Sequence, residues 1–141
     1  MIRADYFSIT DFAMPYYFST VTDLNYEDAI ARTTEELKKE GFGVLTQIDV
    51  KETLKQKIDV VVPRYMILGA CNPTFAHKAL SAEQHIGAML PCNVVVRENE
   101  DGKTEVFAVD PIASMNAVDN ADLGSIAQEV QQKLKTVIDR I

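Results

Sequence analysis

Apolar residues toward the C-terminal end of the chain fall at Leu123, Ile126, Ala127, Val130, Leu134, Val137, Ile138 and Ile141, in steps of 3, 1, 3, 4, 3, 1 and 3. That spacing holds one stripe on a helix and predicts an amphipathic helix of about 20 residues. A second helical stripe runs through Tyr26, Ala29, Ile30, Thr33 and Leu37. Asn25 before it suits an N-cap, and Glu27 and Asp28 put negative charge in the first turn, where the helix dipole favours it. Gly41 supplies the stop.

Between and around these helices the period shortens. Tyr16 to Val21 is aromatic and β-branched and reads as a strand. Phe42 to Val50 reads as a second strand. Asp49 and Glu52 then resemble a capping box opening a short helix, with Val50, Leu54 and Ile58 on one face. Val60-Val61-Val62-Pro63 fits an edge strand or an extended loop, and the proline argues against a central position. Tyr65 to Cys71 is apolar at both parities and is expected to be a strand covered on both faces. Asn72 and Pro73 pair an N-cap with a first-turn proline, which opens a helix running to about Gln84. Asn93–Glu98 and Thr104–Val109 form a hairpin through Asn99-Glu100-Asp101-Gly102, and Asp110-Pro111 ends it. The order is strand, long helix, four strands with short helical insertions, long helix. It predicts an α+β domain over residues 14–141, with an antiparallel-rich sheet and helices on one face. Residues 1–13 show no period and are expected to be an N-terminal arm or extra element.

Composition narrows the functional classes. The 141 residues carry a formal net charge of −7, with 47% apolar and 25% charged positions. Lysines and arginines are scattered, so the clustered basic footprint of a nucleic-acid binder is missing. No run of about 18 apolar residues offers a membrane span. The first residues lack the apolar centre of a secretory signal. These readings predict a soluble cytoplasmic protein with no nucleic-acid or membrane partner, whose two cysteines are reduced thiols.

Candidate chemistry gathers in one central stretch. Cys71 stands just before the expected N-terminus of a helix, where free backbone N–H groups favour a thiolate or a bound anion. Cys92 opens the next strand. If the two strands are antiparallel neighbours, both cysteines lie at one end of the sheet; if they are parallel, the pair is split. Asn72, Pro73 and Asn93 stand beside them. His77, on the following helix, falls off the apolar face and titrates near neutrality. Glu83 falls within that face on a helical wheel, so either it is a buried carboxylate needing a partner or the helix ends before it. The spacing of Cys71, His77 and Cys92 does not match a structural zinc site, and no metal site is assigned. Redox C-x-x-C, P-loop, nucleophile-elbow and H-E-x-x-H signatures are absent.

The segments EGFGVLTQIDVKETLKQK (Glu40 to Lys57), YMILGACNP (Tyr65 to Pro73) and LPCNVVV (Leu90 to Val96), with Asp101-Gly102 and Asp110-Pro111, resemble domain-of-unknown-function family 302 over about residues 16–141. The resemblance implies a TATA-binding-protein-like order of elements, a bacterial or archaeal protein with no established activity, and a homodimer. Fold alone gives no warrant for function. The expectation is a small-ligand-binding module acting as a homodimer, with Cys71, Asn72, Pro73, His77, Glu83, Cys92 and Asn93 around its site and no cofactor identified. One alternative is a thiol-dependent redox or sulfur-handling protein with Cys71 as nucleophile and Cys92 as resolving partner. Another is a protein-interaction module using Tyr6, Phe7, Tyr16 and Tyr17.

Overall fold

The computed structural model describes residues 15–141. The arm expected at residues 1–13, with Tyr6 and Phe7, lies outside them. Strand β1 (Tyr17–Thr22) leads to helix α1 (Tyr26–Lys39), β2 (Gly43–Asp49) and helix α2 (Val50–Ile58). Strand β3 (Tyr65–Cys71) is followed by α3 (Pro73–Ala82) and a 3-10 turn (Gln84–Met89). Strands β4 (Cys92–Glu98) and β5 (Thr104–Val109), short helix α4 (Pro111–Met115) and α5 (Leu123–Asp139) complete the chain.

The sheet has five strands in the order β1-β5-β4-β3-β2, every neighbouring pair antiparallel. The α+β architecture read from the sequence is therefore the one observed. Local chemistry explains the helix starts. Asn25, Asp49 and Asn72 each accept from a backbone N–H three residues on, at 2.8, 3.0 and 3.5 Å. Gly41 takes φ +87°, which lets the chain reverse out of α1.

Two boundaries differ from the sequence reading, and one open alternative is decided. The helix expected to reach Gln84 ends at Ala82 and gives way to the 3-10 turn. Asp110-Pro111 does more than end the hairpin: Asp110 caps Ile112 N–H at 2.9 Å and starts α4. Val60 to Pro63 carries no regular structure and so takes the loop alternative.

The stripes of α1 and α5 bury Ala29, Leu37, Leu134, Val137 and Ile138 against Leu68, Ala70, Val94, Val96, Val106 and Ala108 of the sheet. Each large side chain so buried contributes roughly 1.5–3 kcal/mol. All these strand positions share one face. The other face of β3, expected to be covered as well, carries no helix of this core among the described residues, and Tyr65 and Ile67 on it are half-buried. A smaller apolar cluster of Ala79, Ile86 and Leu123 gathers Leu90, Met115 and Val118 around it. At the α1–α5 interface Glu36, 3% exposed, receives Lys39 Nζ at 2.9 Å and lies near Arg32 and Arg140. No helix among the described residues is long and apolar enough to cross a membrane.

Candidate functional site

The antiparallel register settles the question left by the sequence. Ala70 of β3 stands opposite Cys92 of β4, so both cysteines lie at the same end of the sheet. Side chains alternate along a strand, and cross-strand partners share a face. Cys92 therefore joins Ala70 on the helix-covered face, while Cys71 belongs, by alternation, to the other. Both nonetheless border one cavity where β3 hands over to α3. Both are free thiols.

Asn72 makes that hand-over. Its Oδ1 accepts from Phe75 N–H, and its Nδ2 donates to the Glu40 carbonyl at 3.3 Å. The amide thus ties the start of α3 to the end of α1. Nearby, β2 carries a bulge between Val44 and Thr46 that leaves Leu45 outside the ladder, at the cavity rim. A Cβ on Gly69 would lie 2.2 Å from Thr46 Oγ1 and 2.9 Å from Pro91 Cγ, so β2 and the Leu90-Pro91 turn close tightly over β3 there.

The cavity has a volume of about 270 Å³. Phe42, Ala70 and Cys92 form its floor on the sheet side. Phe75, Ala76 and Ala79 of α3 make one wall, and Ile126, Ala127 and Val130 of α5 make the other. Leu90, Pro91, Pro111 and Met115 close the end. It occupies the seam between the main core and the smaller apolar cluster. Among the described residues no charged side chain lines it, and the polar ones at its edge are Thr46, Asn72 and the cysteines.

Of the residues singled out from sequence, the structure brings Cys71, Asn72 and Cys92 to this cavity. Burial pushes the Cys92 thiol up to about 11, with the neighbouring Cys71 adding to the effect. Pro73 is exposed at the first turn of α3. His77 is exposed on the outer side of that helix and does not line the cavity. Glu83 lies past the helix end, because Ala82 is the last residue of α3. It caps the 3-10 turn, accepting from His85 N–H at 3.2 Å and from Asn120 Nδ2 at 3.4 Å. The His85 N–H bond is the main cause holding its carboxyl below the usual carboxylate range. Asn93, one step from Cys92, is exposed on the opposite face and borders a separate hollow with Pro91 and Val109. Among the described residues, no three His, Cys, Asp or Glu side chains converge as metal ligands.

The family model of the domain of unknown function DUF302 matches residues 18–141. The chain belongs to this family. A relative in sequence, an uncharacterized protein from Aquifex aeolicus (strain VF5), is 28% identical over 90 residues. That match covers 64% of this chain and 56% of the relative, so the chain spans little more than half of the relative's length. In structure, the DUF302 chain is similar to the crystal structure of an uncharacterized conserved DUF302 protein from Bacillus stearothermophilus. The two share 30% identity and a TM-score of 0.85 over 90% of this chain and 98% of the other.

The cavity walls are the part of this DUF302 site that sequence reasoning missed. Ile126 and Val130 belong to the stripe read as core, and Phe75, Leu90 and Met115 carry no signal of a cavity, because lining a void and filling a core need the same side chains. The available signal was the run of small residues, Ala76 and Ala79 facing Ala127, which leaves space where larger side chains would meet.

Proposed function

We propose that this DUF302 protein binds a small, uncharged, apolar molecule in the cavity between the sheet end, α3 and α5. The observation that carries this reading is a hollow of about 270 Å³ with no charged side chain on its walls among the described residues. Its size approaches the range of small-molecule pockets, roughly 300–1,000 Å³. A dry apolar cavity of about 150 Å³ already admits benzene. The space here suits a somewhat larger compound, of one or two rings or a short branched chain. The Thr46 hydroxyl, the Asn72 amide and the Cys71 thiol at the rim are the groups able to orient a single polar substituent. A charged ligand would lose its hydration without a counter-charge.

The thiol-exchange alternative has weaker support. Cys92, the resolving partner in that alternative, has its thiol pushed up to about 11, so it is protonated at neutral pH and slow to attack a mixed disulfide. Alternation also directs Cys71 away from the face that holds Cys92.

Thermal shift and calorimetric titration with matched probes test the proposal: indole and naphthalene against indole-carboxylate and naphthalene-sulfonate. The neutral members should raise the melting temperature with concentration, by an amount corresponding to about 2.7 kcal/mol at a hundred times Kd. Their charged counterparts should leave it unchanged. Equal responses to both, or none to the neutral pair, would overturn the reading.

A further inference from the structure

The residues around the cavity are not equally sheltered. Of those lining it, Leu45 and Thr46 of β2 are exposed, and the rest are buried or half-buried. The mouth therefore opens at β2, beside Cys71 and Asn72. Leu45 is the apolar member of the exposed pair and stays 67% exposed. A large apolar side chain thus stands in water at the edge of an apolar hollow.

The strand pairing puts it there. Val44 pairs with Ala70 and Thr46 with Gly69, which leaves Leu45 without a partner on β3. A bulge of this kind re-aims a side chain, and bulges are over-represented beside active sites. The backbone on either side of Leu45 is pinned. Thr46 lies over Gly69, where a Cβ would come within 2.2 Å of its Oγ1. Gly41, just before β2, approaches Asn72 so closely that a Cβ there would lie 3.1 Å from Nδ2. Between these two close approaches the freedom left to Leu45 is that of its own rotamer.

We infer that Leu45 is a lid of one side chain, which turns over the cavity mouth when a ligand enters and makes the outermost apolar contact with it. This lid presupposes the apolar ligand proposed above and names the residue that sets how long it stays. Over an empty hollow an inward rotamer has few atoms to touch, so turning in gains little dispersion energy. Over a bound ring the same rotation takes the leucine out of water and into contact. The ligand therefore shifts the rotamer population, because it interacts with one rotamer more than with the other. Side-chain rotation takes picoseconds to nanoseconds, so it does not slow entry. Its effect falls on departure, where most affinity differences within one site arise. A ligand with a charged group at its outer end would meet leucine in place of water, so the lid adds to the preference for neutral compounds.

Indole titration of the full chain tests the lid with Leu45→Ala, Leu45→Met and Val61→Ala. The chain has no tryptophan, so the emission of indole is read without a protein background. Val61 is 71% exposed and does not line the cavity. Without ligand all three variants should melt with the wild type, since exposed positions contribute little to stability. Leu45→Ala should bind indole roughly tenfold more weakly, from the apolar carbons it no longer buries. Stopped-flow displacement should place that loss in the off-rate. Leu45→Met, which keeps the volume, and Val61→Ala should bind like the wild type. A Leu45→Ala protein with wild-type affinity and off-rate, or one that melts well below the wild type without ligand, would overturn the lid and leave the ligand reading standing. A wild type that does not bind indole would remove the ligand reading, and the lid with it.

Discussion

Replacing Ala79 by leucine asks whether the space beside α3 is a true void. Ala79 is buried, sits on α3 and lines the cavity. Leucine adds three carbons and is a good helix former. Transfer of three buried carbons at about 0.8 kcal/mol each gives roughly 2.4 kcal/mol. Fixing the leucine rotamer costs about 0.5–1 kcal/mol. The net expectation is a stabilisation of about 1.5 kcal/mol, or roughly 4–8 °C in Tm for a domain of this size. In a filled core the same change would instead cost about 1–3 kcal/mol through overpacking. The sign therefore distinguishes the two situations. Urea unfolding followed by circular dichroism reads the midpoint, and an unchanged slope shows that the denatured state is comparable. The variant should also lose the thermal response to indole, since the leucine occupies the ligand's space. A gain in stability with the loss of binding is the usual trade at functional cavities. A destabilised variant, or one that is stabilised yet binds indole like the wild type, would refute the cavity reasoning.

Two further outcomes follow from the buried titrating groups. At pH 8 a thiol near 11 is roughly one part in a thousand thiolate, against one in ten at its ordinary 9.0, so Cys92 should alkylate about a hundredfold more slowly in the folded protein than in urea; mass spectrometry of iodoacetamide-treated Cys71→Ala protein checks this, and rapid labelling would contradict it. The Glu36 carboxyl is held below its ordinary 4.5, chiefly by the hydrogen bond from Lys39; its folded pKa is the lower one, so its contribution is present above that ordinary value and disappears as pH falls through the folded pKa. Urea midpoints between neutral pH and strongly acid conditions should therefore fall more steeply for the wild type than for Glu36→Gln, and parallel curves would remove Glu36 from the account.

Much of the fold was legible because it is written in local chemistry. The α5 stripe, the Asn25, Asp49 and Asn72 caps and the Asn99–Gly102 turn involve residues close in sequence, and each proved to lie where the pattern put it. The order of strands and helices followed from them. Boundaries slipped where one signal served two purposes. For Glu83 the sequence leaves open a buried carboxylate or a helix that ends before it, and the second holds because its carboxylate caps the next turn; Asp110-Pro111 reads as a stop although the same pair starts a helix.

The candidate site depended on long-range pairing. Whether Cys71 and Cys92 share a sheet end turns on strand direction, which periodicity does not encode, because β3 and β4 are joined by a helix that permits either sense. Which side of the sheet each thiol faces turns on a register set by one residue: Ala70, not Cys71, stands opposite Cys92. The same single step places Asn93 on the other face. A hollow has no residue of its own in the chain, so the space between α3 and α5 appears only when helices far apart in sequence pack at a distance that their alanines leave unfilled. The sequence by itself determined the elements and the apolar surfaces each must bury. Tertiary packing alone decided where those surfaces meet, where they leave a cavity, and which apolar face the described residues leave without a helix.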